Sequence, residues 1–310
     1  MIGTELIREL RNVTAPERVR EQEILAGHCS LRTGGPADLY IQTETERELE
    51  DTLGLLRQSG TDVFLLGRGT NLLIGDGGYR GAVVTMCPPA GKETELSGVT
   101  VQGCSLRAGA GASLLKIATR AKEESLAGFE FAAGIPGSLG GAIVMNAGAY
   151  GGEMRGVVRS VRIYYPDGGI REFSGEDMAF GYRTSRLKKE RGFVLSALID
   201  LERGDRQAIS DRITELAMKR KEKQPLEFAS AGSTFKRPEG AFAGRLIEEA
   251  GLKGFSVGDA QVSEKHAGFV INRGGASAAQ IRKLIGEVQR RVQENSGIWL
   301  EREVIYLGEF

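Results

Sequence analysis

The sequence predicts an α+β protein: a two-part α/β region over residues 1–203, with an internal boundary near residue 85, then a smaller α/β domain over 204–297 and a closing strand over 298–310. Three observations predict it. Apolar runs and a capped amphipathic segment alternate as strand, helix, strand between residues 37 and 66. From Gly81 to Asp200 come several β-rich runs around one clear helical segment, and after Gly204 the pattern turns to longer amphipathic helices. At 310 residues the chain exceeds one ordinary core and suggests two or three compact units.

The elements follow in order. Thr45 with Glu48 is a capping-box pair, and Leu49, Leu53 and Leu56 follow at helical spacing until Gly60 closes the segment. Strands are predicted on either side, over Ala37–Ile41 and Val63–Leu66. Further strands are predicted at Ala82–Thr85, Val99–Gln102, Ala142–Asn146, Val157–Tyr165 and Phe193–Asp200, with a helix over Leu114–Glu124. Pro166-Asp167-Gly168-Gly169 marks a hairpin turn, because proline fixes φ and glycine accepts positive φ. Ile209–Lys223 is a helix whose basic end complements the helix dipole. Ser277 with Gln280 caps another helix, carrying Ile281, Leu284, Ile285, Val288 and Val292.

Composition narrows the chemistry. Lys plus Arg equals Asp plus Glu at 41 each, so no global field draws the chain to nucleic acid or an anionic membrane, and any anion is bound locally. No signal-peptide core or membrane-length apolar run is present, and a cytoplasmic location is expected. Cys29, Cys87 and Cys104 have no Cys-x-x-Cys spacing, and His28 and His266 are in no H-E-x-x-H pattern. No metal site, disulfide framework or Ser-His-Asp enzyme is expected, which leaves Arg, Glu, Ser, Lys or a cofactor to do chemistry.

The 44 glycines, roughly twice ordinary usage, point to close backbone approaches. Gly67-Arg68-Gly69-Thr70-Asn71 ends a predicted strand and offers amide donors where a diphosphate could sit. It is no dinucleotide fingerprint, since Leu72 stands where the third glycine is needed; Gly109-Ala110-Gly111 fails likewise at Leu114. Gly134-Ile135-Pro136-Gly137-Ser138-Leu139-Gly140-Gly141-Ala142, followed by Met145-Asn146-Ala147-Gly148-Ala149, describes a backbone lying flat against either a planar cofactor or another strand.

The first and the last of these loops together resemble the FAD-binding domain shared by vanillyl-alcohol oxidase and p-cresol methylhydroxylase. Gly181-Tyr182-Arg183-Thr184-Ser185, Ala231-Gly232-Ser233-Thr234-Phe235-Lys236-Arg237-Pro238 and Leu300-Glu301-Arg302-Glu303-Val304 resemble the UDP-N-acetylenolpyruvoylglucosamine reductase family. The resemblance runs from about Gly27 to Gly308. It implies a two-part FAD-binding region, a C-terminal substrate domain, and a final strand that brings Glu303 to the active site.

It also implies the reaction. Hydride passes from NADPH to non-covalently bound FAD and on to the vinyl carbon of an enolpyruvyl UDP-amino sugar, in peptidoglycan precursor synthesis. By resemblance the proton donor is Ser233, with Arg183 and Glu303 stabilising the enol intermediate; Glu301 competes with Glu303, but the family pattern places glutamate directly before valine. A guanidinium grips a carboxylate or enolate in a fork that lysine cannot copy. The aid that a serine acid needs could come from Lys236, Glu303 or water. The flavin contacts implied are Gly67, Arg68, Gly69, Thr70, Asn71, Gly134, Ile135, Pro136, Gly137, Ser138, Gly140 and Gly141, with Tyr182 at the substrate.

One subclass of the family closes a tyrosine over the UDP group. No tyrosine lies between Tyr182 and Tyr306 here, so the chain is similar to the subclass without that lid, and Lys236 and Arg237 become the candidates for the diphosphate. Cys29-Ser30 and Thr33 depart from the family pattern before Gly34-Gly35. A flavin alcohol oxidase of the same fold would need a base for a hydroxyl proton, and neither histidine lies in these motifs. A non-catalytic flavin module has no use for Arg183, Ser233 and Glu303. The sequence leaves the oligomeric state open, a monomer being slightly favoured.

Overall fold

The computed structural model describes residues 2–310. Helices and strands are mixed throughout, as the sequence predicts. The chain forms two compact units, neither of them contiguous: residues 1–21, 39–68 and 81–219 in the first, and 22–38, 69–80 and 220–310 in the second. Sequence alone suggests a cut near residue 204. The second unit instead takes in residues 69–80, where Leu72–Ile74 pairs in parallel with Ile305–Leu307, and residues 22–38, where Gly35 donates to Gly75 O at 3.0 Å and Leu31 O accepts from the Asn272 side chain at 2.9 Å.

In the first unit, helix α1 (Thr4–Val13) precedes α2 (Glu46–Gln58), and Val63–Leu66 pairs in parallel with residues 82–85 of the strand Tyr79–Thr85. Thr45 accepts the Glu48 amide as the helix cap. The Glu48 carboxylate does not complete the expected box. It accepts the Glu44 amide at 2.8 Å and both Arg18 guanidinium NH2 groups at 2.8 Å, a bidentate charged pair that outcompetes a neutral local bond.

The larger sheet of this unit is antiparallel, in the order Gly169–Ser174, Val158–Tyr165, Phe193–Asp200, Ser105–Gly109, Val99–Gln102. The predicted hairpin is present, with Tyr165 opposite Gly169. Helix α3 (Leu114–Glu123), capped by Ser113, packs near its far edge. Leu106, Ala108, Ile117, Ile163, Leu195 and Ala197 fill the core between sheet and helices.

The run Ala142–Asn146, predicted as a strand, is instead the end of helix α4 (Leu139–Val144) and the turn after it. Ser138 caps the helix, accepting the Gly141 amide at 3.5 Å. Six residues do not hold a helix in water. Leu139 and Ile143 do it here, one turn apart and fully buried, each stabilising by about 1.5–3 kcal/mol over exposure. The small residues at 140–142 that suggested a strand are what allow α4 to approach the sheet: a Cβ on Gly140 would sit 3.1 Å from Ala110 Cβ.

In the second unit an antiparallel sheet runs Ala229–Ser233, Phe269–Asn272, Ala260–Val262, Ser256–Val257. Helix α5 (Arg206–Lys223) leads into this unit, and α6 (Ala243–Glu249) and α7 (Ala278–Ser296) complete it. Ser277 and Gln280 form the predicted capping box on α7, and Asp76 adds two bonds, accepting the Ala278 and Ala279 amides at 2.8 and 2.9 Å. The apolar stripe predicted on α7 is buried against the sheet.

Candidate active site

Five short segments carry the predicted site residues: residues 134–141 and 181–184 lie in the first unit and 232–237 and 300–304 in the second, while 67–71 is divided, Gly67 and Arg68 falling in the first and Gly69, Thr70 and Asn71 in the second. Within the first unit Gly67, which opens one glycine loop, packs against the other, far along the chain: a Cβ on Gly67 would lie 2.5 Å from Ser138 Oγ. Gly137 is different, since a Cβ there would meet nothing closer than Leu114 Cδ1 at 3.7 Å. Packing therefore explains the missing side chains at 67 and 140 and leaves the one at 137 to something outside the fold. Gly134 and Pro136 beside it are exposed, as is Arg68 on the partner loop, while Ile135 is half-buried. These residues fit a flat, anionic cofactor laid along the junction of the loops.

Several of the helix amides are already spoken for. Leu139 and Gly140 donate to the Ala112 and Ala110 carbonyls at 2.9 Å, and Gly141 donates to Ser138 Oγ. Ser138 is 2% exposed, so its hydroxyl serves the helix cap rather than open solvent. Burial pushes the neighbouring Cys87 thiol up from its ordinary value, and the Thr85 hydroxyl, Arg68 charge and Ser138 hydroxyl oppose that rise. Cys87 is thus held as a neutral thiol.

The third segment, Gly181–Thr184, is a tight reversal in which Gly181 and Thr184 exchange backbone bonds at 3.0 and 3.2 Å. Arg183 takes φ +55 inside it, a conformation that costs an arginine on the order of 1 kcal/mol or more and clusters at functional sites. Its guanidinium carbon lies 5.2 Å from the centre of the Tyr182 ring, and that ring is 55% exposed. The segment beyond is pinned by Arg186, which bonds Glu190 at 3.1 and 3.0 Å and the Asp177 carbonyl at 2.9 Å, and whose guanidinium carbon lies 4.0 Å from the Phe173 ring centre. Tyr165 donates to the same Glu190 at 2.7 Å; burial and this carboxylate push its hydroxyl up to about 12.

In the second unit, Ser233 ends the strand Ala229–Ser233 at a register shift opposite Phe269. Gly232 takes φ +75 there with nothing within 4 Å of a Cβ, so glycine is required by the bulge itself. The bulge leaves Ser233 exposed while Thr234 turns inward, donating its amide to Gly268 O at 2.9 Å and accepting the Val270 amide at 3.0 Å. The same Thr234 carbonyl accepts the Glu303 amide at 2.9 Å, and Phe235 bridges Arg302. Ser233 and Glu303 are thereby carried on two segments joined at Thr234.

Asn71 fixes the other side of Glu303. Its side-chain amide donates to the Glu303 carbonyl at 3.1 Å, and its own carbonyl accepts the Ile305 amide at 3.0 Å. The sequence marks Asn71 only as part of a cofactor loop; a side chain that clamps a strand 232 positions away leaves no local signal. Gly69, at φ +62, is required by packing, since a Cβ would lie 2.2 Å from the His28 carbonyl oxygen; Thr70 beside it is half-buried. Lys236 pairs with Glu301 at 2.9 Å in an exposed, solvent-screened contact that is readily exchanged for a stronger anion. The Arg237 guanidinium carbon lies 4.5 Å from the Phe242 ring centre. Among the described residues no group of His, Cys, Asp and Glu is arranged to hold a metal ion, and no helix is long and apolar enough to cross a membrane.

Known proteins match this chain along its length. The FAD binding domain family model covers residues 37–174, which include both glycine loops, and the model of the UDP-N-acetylenolpyruvoylglucosamine reductase C-terminal domain covers residues 224–307. The UDP-N-acetylenolpyruvoylglucosamine reductase of Lachnoclostridium phytofermentans is 45% identical over 98% of this chain and 97% of its own. The chain belongs to the UDP-N-acetylenolpyruvoylglucosamine reductase family. The reductase of Clostridioides difficile is 44% identical over the whole of both chains. The crystal structure of the Thermus caldophilus reductase matches with a TM-score of 0.79 at 35% identity, covering 93% of this chain and 99% of that one. Alkyldihydroxyacetonephosphate synthase, at 15% identity and a TM-score of 0.51 over 66% of this chain, shares the fold alone. A flavin-dependent reductase of this family thus has its cofactor region in residues 37–174 and Ser233, Lys236, Arg237 and Glu303 in its C-terminal domain.

Proposed function

We propose that this chain is the NADPH-dependent flavoenzyme that reduces UDP-N-acetylglucosamine enolpyruvate to UDP-N-acetylmuramate for peptidoglycan synthesis. The observation that carries this is the match over nearly the full length of reductases of that activity, with the FAD model spanning the two loops that pack together at Gly67 and Ser138. Bound FAD supplies the two-electron relay from NADPH to the substrate. Residues 67–71 and 134–141 hold it non-covalently, Gly137 and its exposed neighbours forming the face that meets it.

The substrate carbon–carbon double bond gains a hydride at its terminal carbon, and the electron pair of the π bond moves toward the adjacent carboxylate. Arg183 meets that charge; a guanidinium fixed in a strained turn needs no reorganisation when the charge develops. Ser233 delivers the proton to the carbon bearing the ether oxygen, which completes the addition of one hydride and one proton. Glu303, tied by its backbone to Thr234 and Asn71, stabilises the same intermediate. Tyr182 contacts the substrate, and Lys236 and Arg237 take the UDP diphosphate, Lys236 exchanging Glu301 for it. The enzyme works in the cytoplasm.

The test is anaerobic. NADPH must bleach the bound flavin, and the UDP-enolpyruvyl sugar must then restore its colour. Bleaching without restoration would exclude this reductase activity and leave a flavoprotein of some other use.

A further inference from the structure

The buried carboxamide of Asn146 is joined to the carbonyl that opens the Arg183 turn, and we infer that Asn146 is the positioning residue for Arg183. The inference rests on the assignment of Arg183 to the substrate.

Asn146 is 1% exposed and takes φ +42, just past the C-terminus of α4. All of its side-chain polar atoms are engaged. Nδ2 donates to Gly181 O at 3.1 Å and to Glu153 Oε2 at 3.1 Å, and Oδ1 accepts the Arg155 amide at 2.9 Å. The Gly181 carbonyl thus takes two bonds, one from Asn146 and one from the Thr184 amide across the turn. A second tie lies next to it, where Ser185, also buried, donates its hydroxyl to Val144 O at 3.0 Å.

These bonds attach both sides of Arg183 to the end of α4, and the start of α4 is the Gly137–Ser138 loop. The register between the cofactor loop and the guanidinium is therefore set by one short helix and two side chains. Asparagine suits the place on two counts: it tolerates left-handed φ better than other side chains, and it both donates and accepts. Removing its amide frees the strained turn to relax, and a misplacement of about 1 Å costs on the order of a hundredfold in rate.

The test uses Asn146→Gly, which accommodates the left-handed backbone and removes the carboxamide with its methylene, beside Arg183→Ala and the double variant. In the apoprotein, amide hydrogen exchange at Thr184 should quicken in Asn146→Gly, because the carbonyl that Thr184 bonds has lost its anchor. In the holoenzyme, flavin reduction by NADPH should stay within about twofold, while reoxidation by the enolpyruvyl substrate slows roughly tenfold to a hundredfold. The double variant should be no slower in reoxidation than Arg183→Ala alone, since Asn146 acts only through that arginine. Equal slowing of both half-reactions, additive losses in the double variant, or unchanged exchange at Thr184 would overturn the positioning role. An Arg183→Ala protein that reoxidises normally would remove the assignment of Arg183 itself, and the positioning role with it. Normal reoxidation in Asn146→Gly beside a crippled Arg183→Ala would remove the positioning role alone.

Discussion

Ser233→Ala takes one oxygen from the exposed end of the bulged strand Ala229–Ser233. The bulge is formed by Gly232 and held by the bonds of Thr234, none of which involves the Ser233 hydroxyl. Stability should therefore change by no more than about 0.5 kcal/mol, a melting shift of roughly 1–2 °C. The chemical loss is much larger. A positioned acid contributes roughly 10²–10⁴ in rate, or about 2.7–5.4 kcal/mol of barrier. Only the second half-reaction needs that proton, since NADPH reduces the flavin before the substrate carbon is touched. Anaerobic stopped-flow absorbance separates the halves: flavin bleaching by NADPH should run at the parent rate, and recolouring by the enolpyruvyl substrate should slow by two to four decades. Recolouring at the parent rate would refute the donor role and shift it to Glu303 or a bound water. Equal slowing of both halves would make Ser233 a structural residue.

Three further outcomes are expected. Gly137→Val should fold with little change in melting temperature yet lose flavin on gel filtration, whereas Gly140→Val, whose side chain is driven into Ala110, should melt earlier as well; full flavin content in Gly137→Val would refute the cofactor face. Arg237→Ala should raise the KM for the sugar nucleotide several-fold with the KM for NADPH unchanged, and equal effects on both would count against the diphosphate contact. Burial holds His266 below its ordinary pKa, and the Gly268 amide donates to its Nδ1 at 3.1 Å, so the folded protein resists its protonation. Stability should then fall as pH drops below about 6.5, where the unfolded chain takes up the proton first, and His266→Gln should flatten that part of a melting-temperature profile.

Much of the fold is legible because its signals are local. The cap at Thr45, the box at Ser277, the hairpin at Gly169 and the strands at Val63, Val99 and Phe193 each depend on neighbours within a few residues. Ala142–Asn146 fails for a related reason: a short apolar run is the same in a strand and in a buried helix, and only the approach of Ala110 decides between them. Glu48 is legible as a first-turn acid but not as the partner of Arg18, thirty positions away. The motifs mark Arg183, Ser233 and Glu303, yet nothing in Tyr-Arg-Thr signals a left-handed arginine, nor that the Gly181 carbonyl and Ser185 hydroxyl on either side of it bond Asn146 and Val144 of another segment. The discontinuity of the two units is equally invisible, because it depends on a parallel pairing between residues near 73 and 306.

That pairing also sets a schedule for the nascent chain. When Asn71 and the strand Leu72–Ile74 are made, their partners Glu303 and Ile305–Leu307 lie more than 230 positions downstream, on message not yet read. At roughly 5–20 residues per second the wait lasts on the order of tens of seconds. The strand Val63–Leu66, by contrast, finds its neighbour within a few dozen residues. A stalled or prematurely terminated chain would therefore carry an apolar Leu-Leu-Ile edge with nothing to cover it, the kind of surface that chaperones and proteases recognise. The clamp that seats Glu303 thus closes only in a chain translated past residue 307.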